Sequence, residues 1–195
     1  RSVETIIAQN EGRMRPGDVY ALNAPYNGGT HLPDITVVTP VFDAREEEIL
    51  FFVASRGHHA DVGGTAPGSM TPRATTVDEE GVLIDNFKLV DRGRSREAEL
   101  VELLTGHRYP VRNVVQNVAD LKAQIAANEK GVHELAKMVE HFGLDTVTAY
   151  MGHVQDNAAE SVRRVIGALK DSEFAVETDQ GATIRVKITV DREKR

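Results

Sequence analysis

Ile35 to Phe42 and Ile49 to Ala54 are two apolar runs rich in β-branched and aromatic residues, separated only by the charged bend Asp43-Ala44-Arg45-Glu46-Glu47-Glu48. Such runs around turn chemistry form an antiparallel β-hairpin. Just before the first run stands N-G-G-T-H-L-P-D, and just after the second stands S-R-G-H-H-A-D-V-G-G. If the chain folds back at Arg45 and Glu46, Asp34 is expected opposite Gly57 and His31 opposite Ala60. Directly paired positions lie about 5 Å apart at Cβ. Imidazoles and carboxylates far apart in sequence therefore meet at one end of one hairpin.

A mixed set of histidine nitrogen and carboxylate oxygen suits a borderline divalent ion such as Zn, Mn or Fe, whereas Ca or Mg prefers oxygen alone. His31, Asp34 and His58 are the expected ligands, with His59 and Asp61 as substitutes or as partners that orient them. Alternation along a strand sends His58 and His59 to opposite faces, so the two are not expected on one ion. Gly28, Gly29, Gly57, Gly63 and Gly64 surround this end, and glycine allows close approach of backbone to a ligand. A plain surface loop with structural histidines is the competing reading.

Along the rest of the chain, Ser2 is placed to cap a short helix from Val3 to Gln9, and Asp18 to Asn23 alternates as a strand. The segment from Gly63 to Met70 is too rich in glycine and proline for regular structure, and its amides could line an anion. Thr76 to Leu83 and Asn86 to Val90 read as strands. Ser95 is expected to cap a helix from Arg96 to Leu104, ended by Gly106. From Asn117 the apolar period becomes helical, through Val118, Leu121, Ile125, Val132, Leu135, Val139 and Phe142, with Gly143 as the stop. Asn128 interrupts that seam, either to fix packing or to reach the site. Gly131 permits close packing at a cost in helix propensity. Asp145 opens a second helix with Val147, Met151, Val154, Ala158, Val162, Ile166 and Leu169 on one face, and the short joint predicts an antiparallel pair of helices. His133 and His141 read as surface residues. A β-hairpin follows, from Glu173 to Glu177 and from Thr183 to Val190, and the remaining residues to Arg195 look like the start of a strand partner.

No run approaches the roughly 18 apolar residues of a membrane span, and no signal peptide is expected. The chain of 195 residues has no cysteine, which removes disulfides, thiolate metal sites and cysteine nucleophiles and fits the cytoplasm. A formal charge of −7 argues against a nucleic-acid surface. Neither G-x-x-x-x-G-K-S/T nor G-x-G-x-x-G opens a helix, so the chain shows no nucleotide site of its own. H-E-x-x-H and G-x-S-x-G are absent as well.

The segments G-D-V-Y-A-L-N-A-P-Y-N-G-G-T-H-L-P-D-I-T-V-V-T-P-V-F and F-F-V-A-S-R-G-H-H-A-D-V-G-G-T-A-P-G-S-M resemble the hydantoinase B/oxoprolinase family. N-V-A-D-L-K-A-Q-I-A-A-N-E-K-G and Y-M-G-H-V-Q-D-N-A resemble the C-terminal half of its ATP-dependent 5-oxoprolinase branch. The resemblance implies metal ligands in the H-x-x-D and H-H-A-D segments, here His31, Asp34 and His58. It also implies an enzyme that opens a cyclic amide, 5-oxoproline to glutamate, a reaction of glutathione metabolism. ATP and Mg would then act in a hydantoinase A-like half or subunit outside this chain, and an oligomer is expected. Within that scheme Asp61 or His59 would carry protons and Arg56 would offset developing negative charge. His153, one turn from Tyr150 in Y-M-G-H, stands either near the substrate or in the core. Two departures from the family pattern are visible: a longer acidic bend, and Ala24 where the family usually has an acidic residue. Hydantoins, caprolactam or a ketone to be carboxylated are the alternative substrates, and a non-catalytic docking module is the alternative class.

The expected fold is α+β: a β-hairpin-rich part over residues 1–94 with the metal-site hairpin, a helical part over 95–170, and a truncated C-terminal β-hairpin over 171–195. The whole is expected to be a fragment of a larger enzyme.

Overall fold

A computed structural model describes residues 1–68 and 70–193, so the expected strand partner at the C-terminus falls partly outside the described residues, at Lys194 and Arg195. The architecture is α+β, as the sequence implies. The chain divides into two units, Arg1–Leu135 and Ala136–Arg195.

The first unit is built on a five-stranded antiparallel sheet in the order β3-β2-β1-β4-β5. Its strands are β1 (Val19–Leu22), β2 (Asp34–Phe42), β3 (Ile49–His58), β4 (Phe87–Asp91) and β5 (Arg94–Ser95). Helix α1 (Ser2–Gln9) covers one face, where Ile6 and Met14 pack on Tyr20, Leu22 and Val38. On the other face, α3 (Glu97–Thr105) and the first part of α4 (Val114–Phe142) bring Leu100, Leu104, Val118 and Leu121 onto Val19, Ala21, Ile35 and Val37. Residues on both sides of position 94 thus share one core. Alternate side chains of β1 enter opposite layers, which is why all four of its residues are buried.

Several local expectations change. Ser2 lies inside α1 and caps nothing; its buried hydroxyl donates to the Gly28 carbonyl at 2.7 Å. Thr76 to Leu83 is not a strand, because Val77–Glu80 closes one helical turn, α2. Ser95 pairs with Val90 in the sheet, and α3 starts after Arg96 instead. Helix α4 begins at Val114, three residues before the expected Asn117, where the Asn113 side chain accepts from the Gln116 amide. Gly131 sits where a Cβ would meet Val53 Cγ1 at 2.8 Å, so helix and sheet approach closely there.

The hairpin β2–β3 forms about the expected bend, with the Asp43 amide donating to the Glu48 carbonyl at 2.8 Å and Phe42 facing Ile49. The next pair is Val41 with Phe51, so Leu50 is an extra residue on β3 and the register shifts by one beyond it. Asp34 therefore faces His58, not Gly57.

The second unit contains the end of α4, α5 (Leu144–Ala168) and a hairpin of β6 (Ser172–Glu177) with β7 (Thr183–Ile188). Gly143, at φ +84°, separates the two helices as expected. The seam expected to be buried by an antiparallel pair is open: only Val147 of α5 is buried, while Val154 and Val162 are exposed. Both strands of the hairpin are exposed throughout. No helix among the described residues is long and apolar enough to cross a membrane.

Asp18 is the polar anchor of the sheet. Its carboxylate is fully buried and accepts from Lys88 Nζ at 2.9 Å, the Tyr20 hydroxyl at 2.9 Å and the amides of Arg15 and Arg92 at 3.0 and 2.9 Å. Burial raises its pKa, but the bonds from Lys88, Arg92, Tyr20 and Arg15 outweigh burial and hold it below the usual carboxylate value. The neighbouring Tyr20 hydroxyl is pushed up to about 12 by burial and by Asp18. A depressed carboxylate contributes stability that is present above its unfolded pKa of about 3.9 and is lost as pH falls through the folded value. Asp18→Asn is expected to cost roughly 2–3 kcal/mol at neutral pH and to flatten the fall in stability as the pH drops below about 4, as read by urea denaturation across pH.

Candidate metal centre

The register shift decides the site. Because Asp34 and His58 are directly paired, their side chains leave the sheet on the same face, and His58 Nδ1 lies 2.7 Å from Asp34 Oδ1. A tight turn supplies the third group: the Asp34 amide donates to the His31 carbonyl at 2.8 Å. Leu32, 1% exposed, anchors that turn, and the buried Asn23 side chain donates to its carbonyl at 2.8 Å. The ring of His31 then lies 5.7 Å from that of His58, centroid to centroid.

One ligand atom from each of His31, Asp34 and His58 lies within 4.8 Å of the others. Donors bound tetrahedrally to one transition ion at about 2.0–2.2 Å stand about 3.3–3.6 Å apart, so the side chains would draw together by about an ångström to share one. The His58 hydrogen bond holds Asp34 below the usual carboxylate pKa, burial opposes this, and the positive fields of His58, His31 and Arg56 add to the lowering. Asp34 is therefore an anion at neutral pH and ready to ligate. The donor set fits a divalent transition ion.

The other expected residues part company. Arg56, two positions before His58, shares its face, with Nε donating to Thr36 Oγ1 at 2.9 Å and Nη2 to Ser2 Oγ at 2.8 Å. His59 faces the other way, as alternation requires, and is 1% exposed. Gln124 of α4 gives both amide hydrogens to sheet carbonyls, Ile35 at 3.0 Å and Ser55 at 3.3 Å, so its Oε1 accepts from His59 Nε2 at 3.1 Å. That assigns the proton to Nε2 and leaves Nδ1 to accept from Asn117 Nδ2 at 3.3 Å. With both ring nitrogens engaged by α4, His59 is turned away from the face that carries Asp34 and His58. Asp61 is also committed: it accepts from Arg112 Nη1 at 2.7 Å and from the amides of Arg112 and Gly63 at 3.1 Å each. Burial pushes Asp61 up, but these bonds prevail and keep its pKa low. His59 and Asp61 are thus engaged with α4 and Arg112, while His31, Asp34 and His58 are brought together.

The glycines around this end lie against the chain itself: a Cβ on Gly57 would stand 3.0 Å from Gln124 Cδ, and one on Gly64 2.5 Å from the Glu80 carbonyl oxygen. Asn117, Gln124 and Arg112 were not singled out by the sequence reading. The signal lay in the spacing: Asn117, Gln124 and Asn128 recur on the buried face of α4 beside Val118, Leu121 and Ile125. Asn128 takes the structural option, donating to the Val37 carbonyl at 3.1 Å and to Thr39 Oγ1 at 3.2 Å.

Residues 1–195 match the hydantoinase B/oxoprolinase family, and the chain belongs to it. Within it, the chain is 44% identical over 190 residues to a 5-oxoprolinase of Dictyostelium discoideum and 42% identical over 205 residues to 5-oxoprolinase 1 of Arabidopsis thaliana. Each alignment covers 93% of this chain but only 14% and 16% of those relatives, so the chain spans a small part of their length. Among solved structures, the ATP-dependent caprolactamase of Pseudomonas jessenii superposes with a TM-score of 0.79 at 27% identity, covering 97% of this chain and 34% of the other.

Replacing Gln124 with Leu leaves His59 Nε2 and two sheet carbonyls without their partner. It is expected to destabilise the protein by about 2–3 kcal/mol and to speed amide exchange selectively around Ile35 and Ser55, measured by hydrogen–deuterium exchange.

Proposed function

We propose that this chain is the part of an ATP-dependent cyclic amide hydrolase that holds a divalent transition ion, Zn, Mn or Fe, on His31, Asp34 and His58, and that the substrate is 5-oxoproline, opened to glutamate. The observation that carries the reading is the convergence of two imidazoles and an ionised carboxylate within 4.8 Å at one end of a rigid hairpin. A lactam resists hydrolysis because resonance stabilises its C–N bond, so ring opening needs both an activated carbonyl and a positioned nucleophile. An ion in this set would polarise the carbonyl or lower the pKa of a water.

The protein groups have their own parts. His58 Nδ1 lies 2.7 Å from Asp34 Oδ1, a hydrogen bond that keeps these two side chains together where they would hold the ion. Arg56 lies on this face and opposes negative charge that develops at the opening ring. Activation by ATP, with Mg, belongs to a hydantoinase A-like half or subunit, since this chain has no phosphate-binding loop. The assembly acts in the cytoplasm and as an oligomer.

Similarity favours 5-oxoproline over neighbouring substrates. Identity is 44% to the Dictyostelium 5-oxoprolinase, against 30% to a D-/L-hydantoinase component of a Pseudomonas strain and 27% to the caprolactamase.

In the complete enzyme, His31→Ala is expected to remove the bound metal, read by elemental analysis, and to lower glutamate release from 5-oxoproline by at least about 100-fold. Full activity in that variant refutes the ligand assignment. A complete enzyme that carries no stoichiometric transition metal supports the docking-module reading instead.

A further inference from the structure

Beside the three proposed ligands lies a groove of about 540 Å³ walled in part by Ser2, Gly28, Thr30, Thr36 and Arg56. The Arg56 guanidinium is pinned there by hydroxyls: Nε on Thr36, Nη2 on Ser2, and Nη1 at 3.5 Å from Thr30 Oγ1. Hydroxyls orient a guanidinium without neutralising it, and an arginine has five N–H donors, so two remain. Among the described residues no carboxylate forms an ion pair with Arg56, whereas Arg112 is joined to Asp61, and Lys88 to Asp18 and Asp91. A held cation with spare donors at a groove, and no carboxylate among the described residues within ion-pair distance, is the arrangement that receives an oxyanion.

Its placement relates the groove to the proposed chemistry. Arg56 and His58 are alternate residues on one face of β3, about 7 Å apart along the strand. Thr30 Oγ1 joins the two regions, 3.4 Å from Asp34 Oδ2 and 3.5 Å from Arg56 Nη1. In 5-oxoproline the carboxylate stands across the ring nitrogen from the reacting carbonyl, a separation that a molecule lying along β3 can span between the two sites. A phosphoryl group left on the lactam oxygen by ATP activation is a second oxyanion of the same substrate.

We propose that Arg56, oriented by Ser2, Thr30 and Thr36, anchors an oxyanion carried by the substrate while His31, Asp34 and His58 face its ring amide. The proposal rests on the cyclic amide hydrolase reading. The test uses the complete enzyme, with Arg56→Met and Arg56→Lys compared with the unaltered protein on 5-oxoproline and on its carboxamide, and with bound metal measured in each. The expected result is a KM for 5-oxoproline raised about 10- to 100-fold in Arg56→Met, partial recovery in Arg56→Lys, and unchanged metal content. A rise confined to the acid identifies the carboxylate as the anchored group, and an equal rise for the carboxamide identifies the phosphoryl group. An Arg56→Met enzyme that keeps its metal and its KM for 5-oxoproline within twofold overturns the assignment. Should that variant fail to fold, Arg56→Gln, which keeps donors for Thr36 and Ser2 but no charge, gives the same readout. An unaltered enzyme that does not open 5-oxoproline overturns the hydrolase reading itself, a failure distinct from an unmoved KM.

Discussion

The amide side chains of α4 hold the hairpin β2–β3 in place, and the rest of the arrangement depends on that hold. Gln124 and Asn128 donate to carbonyls of Ile35, Ser55 and Val37, groups already engaged in or beside the sheet ladder. Carbonyl oxygens have two lone pairs, so the sheet can accept these bonds without giving up its own. Buried amides of this kind are costly if left unpaired, which makes the contact specific in a way that apolar packing alone is not. Asn117 extends the same hold past the strand end, donating to the Asp61 carbonyl at 2.8 Å.

Two faces of one strand end consequently have two duties. His59 and Gly57 turn toward α4 and are fixed there, and His58 and Arg56 turn away from it and stay accessible. A single-residue slip back to the register without Leu50 would exchange these duties, placing Gly57 opposite Asp34 and turning His58 toward α4. The extra residue Leu50 prevents that slip by setting the register directly after the bend. Asp61 and Arg112 complete the fixed side by tying the following loop to the approach of α4.

Much of this organisation was legible along the chain. Two β-branched runs around an acidic bend announce the hairpin, and period-2 alternation separates His58 from His59. The long helix, its stop at Gly143 and the final hairpin also followed from periodicity and turn residues. Less legible were elements too short to show a period, such as the single helical turn at Val77–Glu80 and the two-residue strand Arg94–Ser95. The seam of α5 was read correctly as apolar, yet apolarity does not specify what covers it, and Val154 and Val162 remain exposed.

By itself the sequence determined which chemical groups could meet, because residue type, strand alternation and the bend confine His31, Asp34 and His58 to one end of one ribbon. Tertiary structure decided which of them do. The bulge at Leu50 is a local departure from regular pairing that no residue type demands, and it made His58 rather than Gly57 the partner of Asp34. Long-range contacts decided the fate of the rest, since only the packing of α4 and Arg112 shows that His59 and Asp61 are held in the framework while Arg56 is held by hydroxyls. Such outcomes depend on side chains distant in sequence competing for the same donors and acceptors, which local pattern does not encode.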